Sequence, residues 1–296
     1  MKSTSIKNLA LWMALAGLGL EASVQGADKP LPELAPADLQ KIEAALPPKA
    51  TVKALKARHI LVFYRCEGFV HGGGIVAANK AIELMGKKTG AFTADFSIDY
   101  AVFAPANLAK YDAIVLNSTT QLKFPDPAQK QALLDFVRNG KGLIGIHAAS
   151  DNFYDWPEAA AMVGGVFDGH PWGGGGTWAF KLDEPTHVLN QAFEGKGFKV
   201  KDEVYQFKTP YTRADRRVLI SLDLSDPTTG AVKQGVKRTD GDFAVAWIRI
   251  EGQGRVFFSN LGHDKNIFEE PAILKFYLDG IQYAVGDLKA DASPKK

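Results

Sequence analysis

Cysteine is nearly absent from this 296-residue chain, which has only Cys66. That excludes an intramolecular disulfide and a zinc site built from several thiolates. An excess of one charge is missing too. The 35 Lys and Arg stand against 33 Asp and Glu, a formal +2 with no long like-charge blocks, so there is no basic footprint for nucleic acid or anionic lipid. Internal repeats are lacking, and so are the H-E-x-x-H and G-x-S-x-G motifs. What is present is an ordinary globular composition, 46% hydrophobic and 23% charged, which excludes disorder, collagen and coiled coil. A large core must supply the stability, and a small molecule is the expected ligand.

The main apolar run, residues 9–20, is shorter than the ~20 residues a membrane span requires. Lys2 and Lys7 precede it, and the small residues of Ala22-Ser23-Val24-Gln25-Gly26 follow, the three-part order of a secretory signal. Residues 1–26 are therefore read as a cleaved signal, 27–57 as a leader or linker, 58–287 as one domain and 288–296 as a tail. The mature protein is expected in the periplasm or outside the cell, without a stable membrane span; an uncleaved anchor is the alternative. The leader carries several prolines and a short amphipathic stretch at 38–46, expected to pack on the domain or to be loosely ordered.

From His59 the pattern becomes short apolar runs alternating with helix-length segments. Residues 59–65, 113–117 and 143–147 read as strands buried on both faces. Between them Ile75, Ala78, Ile82 and Met85 recur at helical spacing. Asp126-Pro127 is an N-cap followed by proline at the first helical position, and Gly140 closes that helix. Strand, helix, strand with short connections implies a parallel α/β sheet. Three further strands are expected at 217–222, 244–250 and 255–260, the last two as a hairpin turning at Glu251 to Gly254, and a final helix at 271–285.

Ligands of open parallel sheets bind beyond the carboxyl ends of the strands. Polar residues gather at those exits: Arg65 to His71 after the first strand, Asn117 to Thr120 after another, His147 to Asp151 after the next, and Gly262-His263-Asp264 after the last. Three of the six histidines are thus at strand exits. Imidazoles act as bases, proton donors or metal ligands near neutral pH, and a shared edge favours a joint role over three separate structural ones. His170 joins them from a long loop, whereas His59 belongs to the far end of the sheet and His187 to a turn. Glu203 and Tyr205 can share a cleft because alternate residues of an extended chain share a face, which sets Asp202 aside; the competing reading is an edge strand with solvated charges. Trp172 and Trp178 flank the glycines 173–176. Core residues in the bland reading, they also suit a sugar ring in the functional one.

Some motif matches fail on context. Gly140-Lys141-Gly142-Leu143-Ile144-Gly145 fits G-x-G-x-x-G but leads from helix into strand, the reverse of a dinucleotide fingerprint. Gly173 to Gly176 lacks the Lys-Ser/Thr ending of a phosphate loop, and His71-Gly72-Gly73-Gly74 lacks the serine elbow of an esterase. Cys66 is read as a small buried hydrophobe.

The segments Phe69-x-His71, Gly145-Ile146-His147-Ala148-Ala149-Ser150-Asp151, Gly164-Gly165-x-Phe167-x-Gly169-His170-Pro171, Asp202-Glu203-x-Tyr205-x-Phe207 and Gly254-Arg255-Val256-Phe257-x-x-x-Leu261-Gly262-His263 together resemble the ThuA-like (trehalose utilisation) family, from about His59 to Gly286. The resemblance implies a flavodoxin-like, class I glutamine amidotransferase-like three-layer α/β sandwich with a mainly parallel central sheet and an added β-hairpin. Where an amidotransferase carries its catalytic cysteine, the corresponding turn here carries His147, so glutamine hydrolysis is not expected. Family members resemble partners of sugar oxidoreductases in disaccharide breakdown, which implies a glycoside or keto-sugar substrate and a possible pathway link to such an oxidoreductase. In the family a hydroxyl or acidic residue commonly follows the first-strand histidine; Gly72 to Gly74 remove that potential ligand.

The expected activity is carbohydrate processing by acid/base chemistry. His71, His147 and His263 would surround the reacting carbons, Glu203 or His170 would exchange protons, Tyr205 would stand beside them, and Asp151 would orient His147. Arg65, Asn117, Trp172 and Trp178 are the candidate substrate contacts. Two alternatives stay open: the same residues hold a divalent metal for a hydrolase or isomerase, or the protein is a non-catalytic sugar-binding module.

Overall fold

The structure, a computed structural model, describes residues 30–231 and 233–295. The expected signal at 1–26 lies outside the described residues. In chain order the elements are α1 (Pro36–Ala45), β1 (His59–Phe63), α2 (Gly72–Thr89), β2 (Thr93–Ser97), α3 (Pro105–Leu108), β3 (Ala113–Asn117), α4 (Pro127–Arg138), β4 (Gly142–Ile146), α5 (Pro157–Val163), β5 (Val166–Phe167), β6 (Thr177–Leu182), β7 (Phe198–Lys201), β8 (Phe207–Lys208), β9 (Arg217–Leu222), α6 (Pro227–Gly230), β10 (Ala244–Glu251), β11 (Gly254–Ser259) and α7 (Pro271–Ala284).

The central strands are apolar on both sides because both sides are covered. In β1, Ile60 and Val62 enter the core beneath α2 and α7, while Leu61 and Phe63 enter the core beneath α4 and α5. β3 divides in the same way, Ala113 and Val115 against Ile114 and Leu116. The result is a three-layer sandwich. Its nine-stranded sheet runs β2-β1-β3-β4-β11-β10-β9-β6-β7, parallel from β2 through β11 and antiparallel beyond it. The antiparallel part is larger than the hairpin expected from the sequence, because β6, β7 and β9 extend it.

Local signals act where they were read. The Asp126 side chain accepts from the Ala128 N–H at 2.8 Å, Pro127 opens α4, and Gly140 follows it at φ 105°. β10 and β11 pair antiparallel around Glu251 and Gly254. Two expected boundaries shift: β1 ends at Phe63 rather than residue 65, and β4 ends at Ile146, so His147 begins the turn His147–Ser150.

The leader is packed rather than loose. Ile42, Ala45 and Leu46 join the core, and Asp38 bonds Lys265 just beyond the last strand exit. Leu288 and Ala292 of the tail are buried as well. Among the described residues no helix is long and apolar enough to cross a membrane.

The strand order 2-1-3-4 followed by β11 puts the reversal of winding between β1 and β3, and it aims the exits of β1, β3, β4 and β11 at one edge.

Candidate functional site

His71 caps the start of α2, just after β1, and its carbonyl accepts the Ile75 N–H at 2.9 Å. α2 can approach the exit of β11 only because Gly74 lacks a side chain: a Cβ there would lie 2.3 Å from the Gly262 carbonyl. His147 leaves β4 at φ 46°, a conformation that L residues rarely adopt and that turns its ring toward the neighbouring exits. His263 follows β11. Glu203 comes from the loop between β7 and β8, which passes over the same edge.

These four side chains meet. His71, His147, Glu203 and His263 each offer one ligand atom, all within 4.8 Å of one another. His263 Nδ1 lies 3.2 Å from Glu203 Oε2 and 3.3 Å from His147 Nε2, and the His147 Nε2 to Glu203 Oε2 distance is 3.7 Å. The rings of His71 and His147 stand edge to face at 4.6 Å, those of His71 and His263 at 5.0 Å. Above them, a Cβ on Gly174 would come within 2.9 Å of the His263 ring, so the glycine run forms a close roof.

Hydrogen bonding fixes the electronic state of this cluster. A carbonyl only accepts, so the Nδ1–H of His147 donates to the Asn260 carbonyl at 2.8 Å. Its Nε2 therefore presents a lone pair to the centre. Burial, reinforced by His263, lowers the His71 pKa to about 4. Burial and His71 hold His147 well below its ordinary range, so both imidazoles are neutral at pH 7. Burial also opposes protonation of His263, but the Glu203 carboxylate outweighs it and raises that pKa.

The arrangement suits a divalent cation. Bonds of ~2.1 Å in a tetrahedral shell separate ligand atoms by about 3.4 Å, close to the 3.2, 3.3 and 3.7 Å found among His147, Glu203 and His263, with His71 completing the set within 4.8 Å. His71 Nδ1 is buried without a hydrogen-bond partner among the described residues, an orphan that a ligand would explain. Imidazoles with one carboxylate match zinc and other first-row divalent ions.

The surrounding shell is partly expected and partly new. His170 Nδ1 lies 3.2 Å from Glu203 Oε1, holding the other carboxylate oxygen from a side chain that is 54% exposed. The Tyr205 hydroxyl is 3.4 Å from His71 Nε2. Asp151, expected to orient His147, does not: its carboxylate accepts from the Tyr154 hydroxyl, and the Asn260 carbonyl takes the orienting role. Local sequence could not reveal that, because Asn260 is 113 positions away.

Asp202, set aside for pointing away from Glu203, is fully buried beneath the cluster and accepts the N–H groups of Gly262 at 2.9 Å and His263 at 3.0 Å. It thus fixes the backbone that carries His263. Burial pushes its pKa up to about 7 against those donors. Asn260 also accepts the Tyr205 N–H at 2.8 Å through its side chain. The only sequence signal for these two residues was proximity to His263 and Glu203.

The candidate substrate contacts lie apart from this centre. Trp172 is 2% exposed, packs on Phe243 and donates its N–H to the Thr229 carbonyl. Trp178 donates to the Asp202 carbonyl at 2.9 Å. The two rings brace the glycine roof from the core side. Asn117 is buried and donates to the Ile75 carbonyl and to Asn79, tying β3 to α2. Arg65 pairs with Glu67 and lies over the Tyr100 ring. His59 pairs with Asp95 at the opposite end of the sheet, and His187 caps a turn, as their sequence contexts indicated. Cys66 is buried, with its thiol donating to the Ser118 carbonyl at 3.3 Å.

The family model described as ThuA, trehalose utilisation, matches residues 59–284. Among solved structures, a ThuA-like protein from Bacteroides uniformis aligns at TM-score 0.64 with 23% identity, over 81% of this chain and 96% of that one. A second, from Parabacteroides merdae, aligns at 0.59 with 19% identity, over 81% and 98%. No curated protein matches this chain. At such identities the structural likeness shows a common fold, the flavodoxin-like sheet just described.

Proposed function

The chain belongs to the ThuA family, and from that premise we propose that it is an exported, divalent-metal-dependent enzyme of carbohydrate breakdown, acting on a glycoside or its keto-sugar derivative as a hydrolase or isomerase. The observation that carries the metal is the convergence of three imidazoles and one carboxylate within 4.8 Å, with the Nδ1–H of His147 already committed to a carbonyl. The family description supports a sugar substrate. Support for export comes from Lys2, Lys7 and the apolar run at 9–20.

A divalent ion held here would supply Lewis-acid chemistry, polarising a substrate oxygen. His71, His147, His263 and Glu203 would hold it, and Asn260 and Asp202 keep His147 and His263 in place. His170 bonds Glu203 on the solvent side and can move protons between the site and water. The Tyr205 hydroxyl, beside His71, is held protonated by burial and by Glu203, so at neutral pH it is a donor.

A second reading keeps the same side chains without a metal: His263 and Glu203 act as a proton-transferring pair, favoured by the raised pKa of His263. One experiment separates the two. The purified protein is analysed for metal by mass spectrometry and incubated with disaccharides and their 3-keto derivatives, alongside His147→Ala and a chelated sample. Stoichiometric metal, with conversion lost on chelation and restored by the ion, is the expected result. Conversion that survives complete metal removal selects the proton-transfer pair. Tight sugar binding without conversion, metal present, overturns both and leaves a binding module.

A further inference from the structure

Next to the cluster, on the far side of Phe167, is a cavity of about 510 Å³ lined by Lys123, Asp151, Phe153, Tyr154, Trp156 and Phe167 among others. Phe167 is the partition. Its ring packs edge-on to Tyr205 at 4.4 Å and stacks with His170 at 5.9 Å, while also facing the cavity. Asp151 enters the lining because it directly follows the turn His147–Ser150. The cavity and the cluster therefore share the exit of β4.

Asp151 is only 8% exposed. One carboxylate oxygen accepts from the Tyr154 hydroxyl, and the other has no hydrogen-bond partner among the described residues. Burial raises its pKa. That oxygen opens onto the cavity, where water or a ligand hydroxyl can donate to it. The backbone around it is strained: Gln121 and Phe153, both in the lining, have φ of 50° and 61°. Such conformations are strained and concentrate at active sites, ligand clamps and switch regions. They are held by the Gln121 N–H to the Asp151 carbonyl at 2.7 Å and the Leu122 N–H to Asn152 at 2.8 Å.

The chemistry of the wall selects the ligand. Aromatic surface comes from Trp156 and Phe167, with Phe124 and Phe153 packed edge-on to Trp156. Acceptors come from Asp151 and Asp155, donors from Lys123 and Lys130, two of each sign. A balanced wall gives no net attraction to an anionic group, whereas apolar C–H faces and many hydroxyl donors suit it. We propose that this cavity is the saccharide subsite of the enzyme, holding a neutral sugar ring beside the reacting one, with Asp151 accepting its hydroxyls and Trp156 and Phe167 bearing its face. The proposal deepens the metal-dependent carbohydrate reading and rests on it for its position next to the chemistry.

The test is calorimetric titration of the full-length protein with trehalose, maltose and cellobiose, on wild type, Asp151→Asn, Trp156→Leu and His263→Ala, with metal content measured on each. Loss of a charge-assisted hydrogen bond or of the ring platform should weaken binding about tenfold or more. Metal should remain in the Asp151→Asn and Trp156→Leu proteins, while His263→Ala should lose metal and still bind sugar. If Trp156→Leu does not fold, Asp151→Asn, which keeps the side-chain shape, decides alone. Wild-type affinity in Asp151→Asn, or no binding of any of the three sugars to wild type at millimolar concentration, overturns the subsite. A metal-free wild type whose sugar affinity still falls in Asp151→Asn supports the subsite and overturns the metal reading instead.

Discussion

At the amino ends of the parallel strands, Arg58 is bidentate on the buried Asp287 and reaches Asp112, which also accepts from Lys56 and the His59 N–H. His59 in turn meets Asp95, which Lys110 and Tyr111 also hold. At the carboxyl ends of the same strands, three imidazoles face one another around a single carboxylate. His71 Nδ1, Asn117 Oδ1, Ser118 Oγ and Ser150 Oγ are buried there without partners among the described residues. Ser118, Gln121, Phe124, His147 and Phe153 have positive φ at or near that edge. Around Arg58 and Asp95 the charges are paired, whereas the carboxyl edge gathers polar groups without partners. The paired groups stabilise the domain, whereas the strained, under-bonded edge has the character of a binding site.

The contrast predicts opposite responses to mutation. His263→Ala at the carboxyl end should lower turnover roughly a hundred- to ten-thousandfold, the range for removing a positioned catalytic group. With metal removed from both proteins, its unfolding free energy should change less than that of Arg58→Ala, because the ring is partly exposed and His170 remains beside Glu203. A large loss of stability in denaturant titration would break the comparison. Arg58→Ala should do the reverse: Asp287 is left buried and unpaired, at a cost of about 3 kcal/mol, with turnover per folded molecule unchanged.

Asp202→Asn tests the boundary between the two behaviours. The amide can accept one of the two N–H bonds from Gly262 and His263 but not both. Metal affinity, measured by competition with a chelator, should fall about 10- to 100-fold, as for other residues that orient ligands. Unchanged affinity would reduce Asp202 to a packing residue.

The smallest effect lies at the amino end. Burial opposes ionisation of Asp95, but Lys110, Tyr111 and His59 outweigh it and lower its pKa to about 2. A carboxylate depressed in the folded state contributes stability above its unfolded pKa and loses it as pH falls toward the folded value. Acid titration from pH 4 to pH 2 should therefore remove this contribution, under about 1 kcal/mol for so exposed a network. In Asp95→Asn that part of the pH dependence should be absent. An identical acid slope in the variant would show that the network contributes nothing.

Much of the fold was legible because its signals are local. The Asp126-Pro127 cap, Gly140, the apolar runs of β1, β3 and β4, and the turn at Glu251 to Gly254 each act within a few residues. β2 was not legible: Thr-Ala-Asp-Phe-Ser is a half-exposed edge strand with no apolar run to betray it. The antiparallel extension through β6 and β7 was hidden as well, because its pairings depend on partners far along the chain.

For the site, the amino-acid sequence by itself determined which histidines stand at strand exits, since strand termini follow from local apolar patterning and the exits of parallel strands share an edge. It also allied Glu203 with Tyr205 through the alternation of an extended chain. Only the tertiary structure decided that His71, His147 and His263 close to within ligand distance of Glu203, that Asn260 and Asp202 rather than Asp151 hold them, and that Trp172 and Trp178 brace a roof. The bonds that hold His263 and His147 span 60 and 113 positions. Such contacts are set by how the layers dock, and no short-range pattern encodes them.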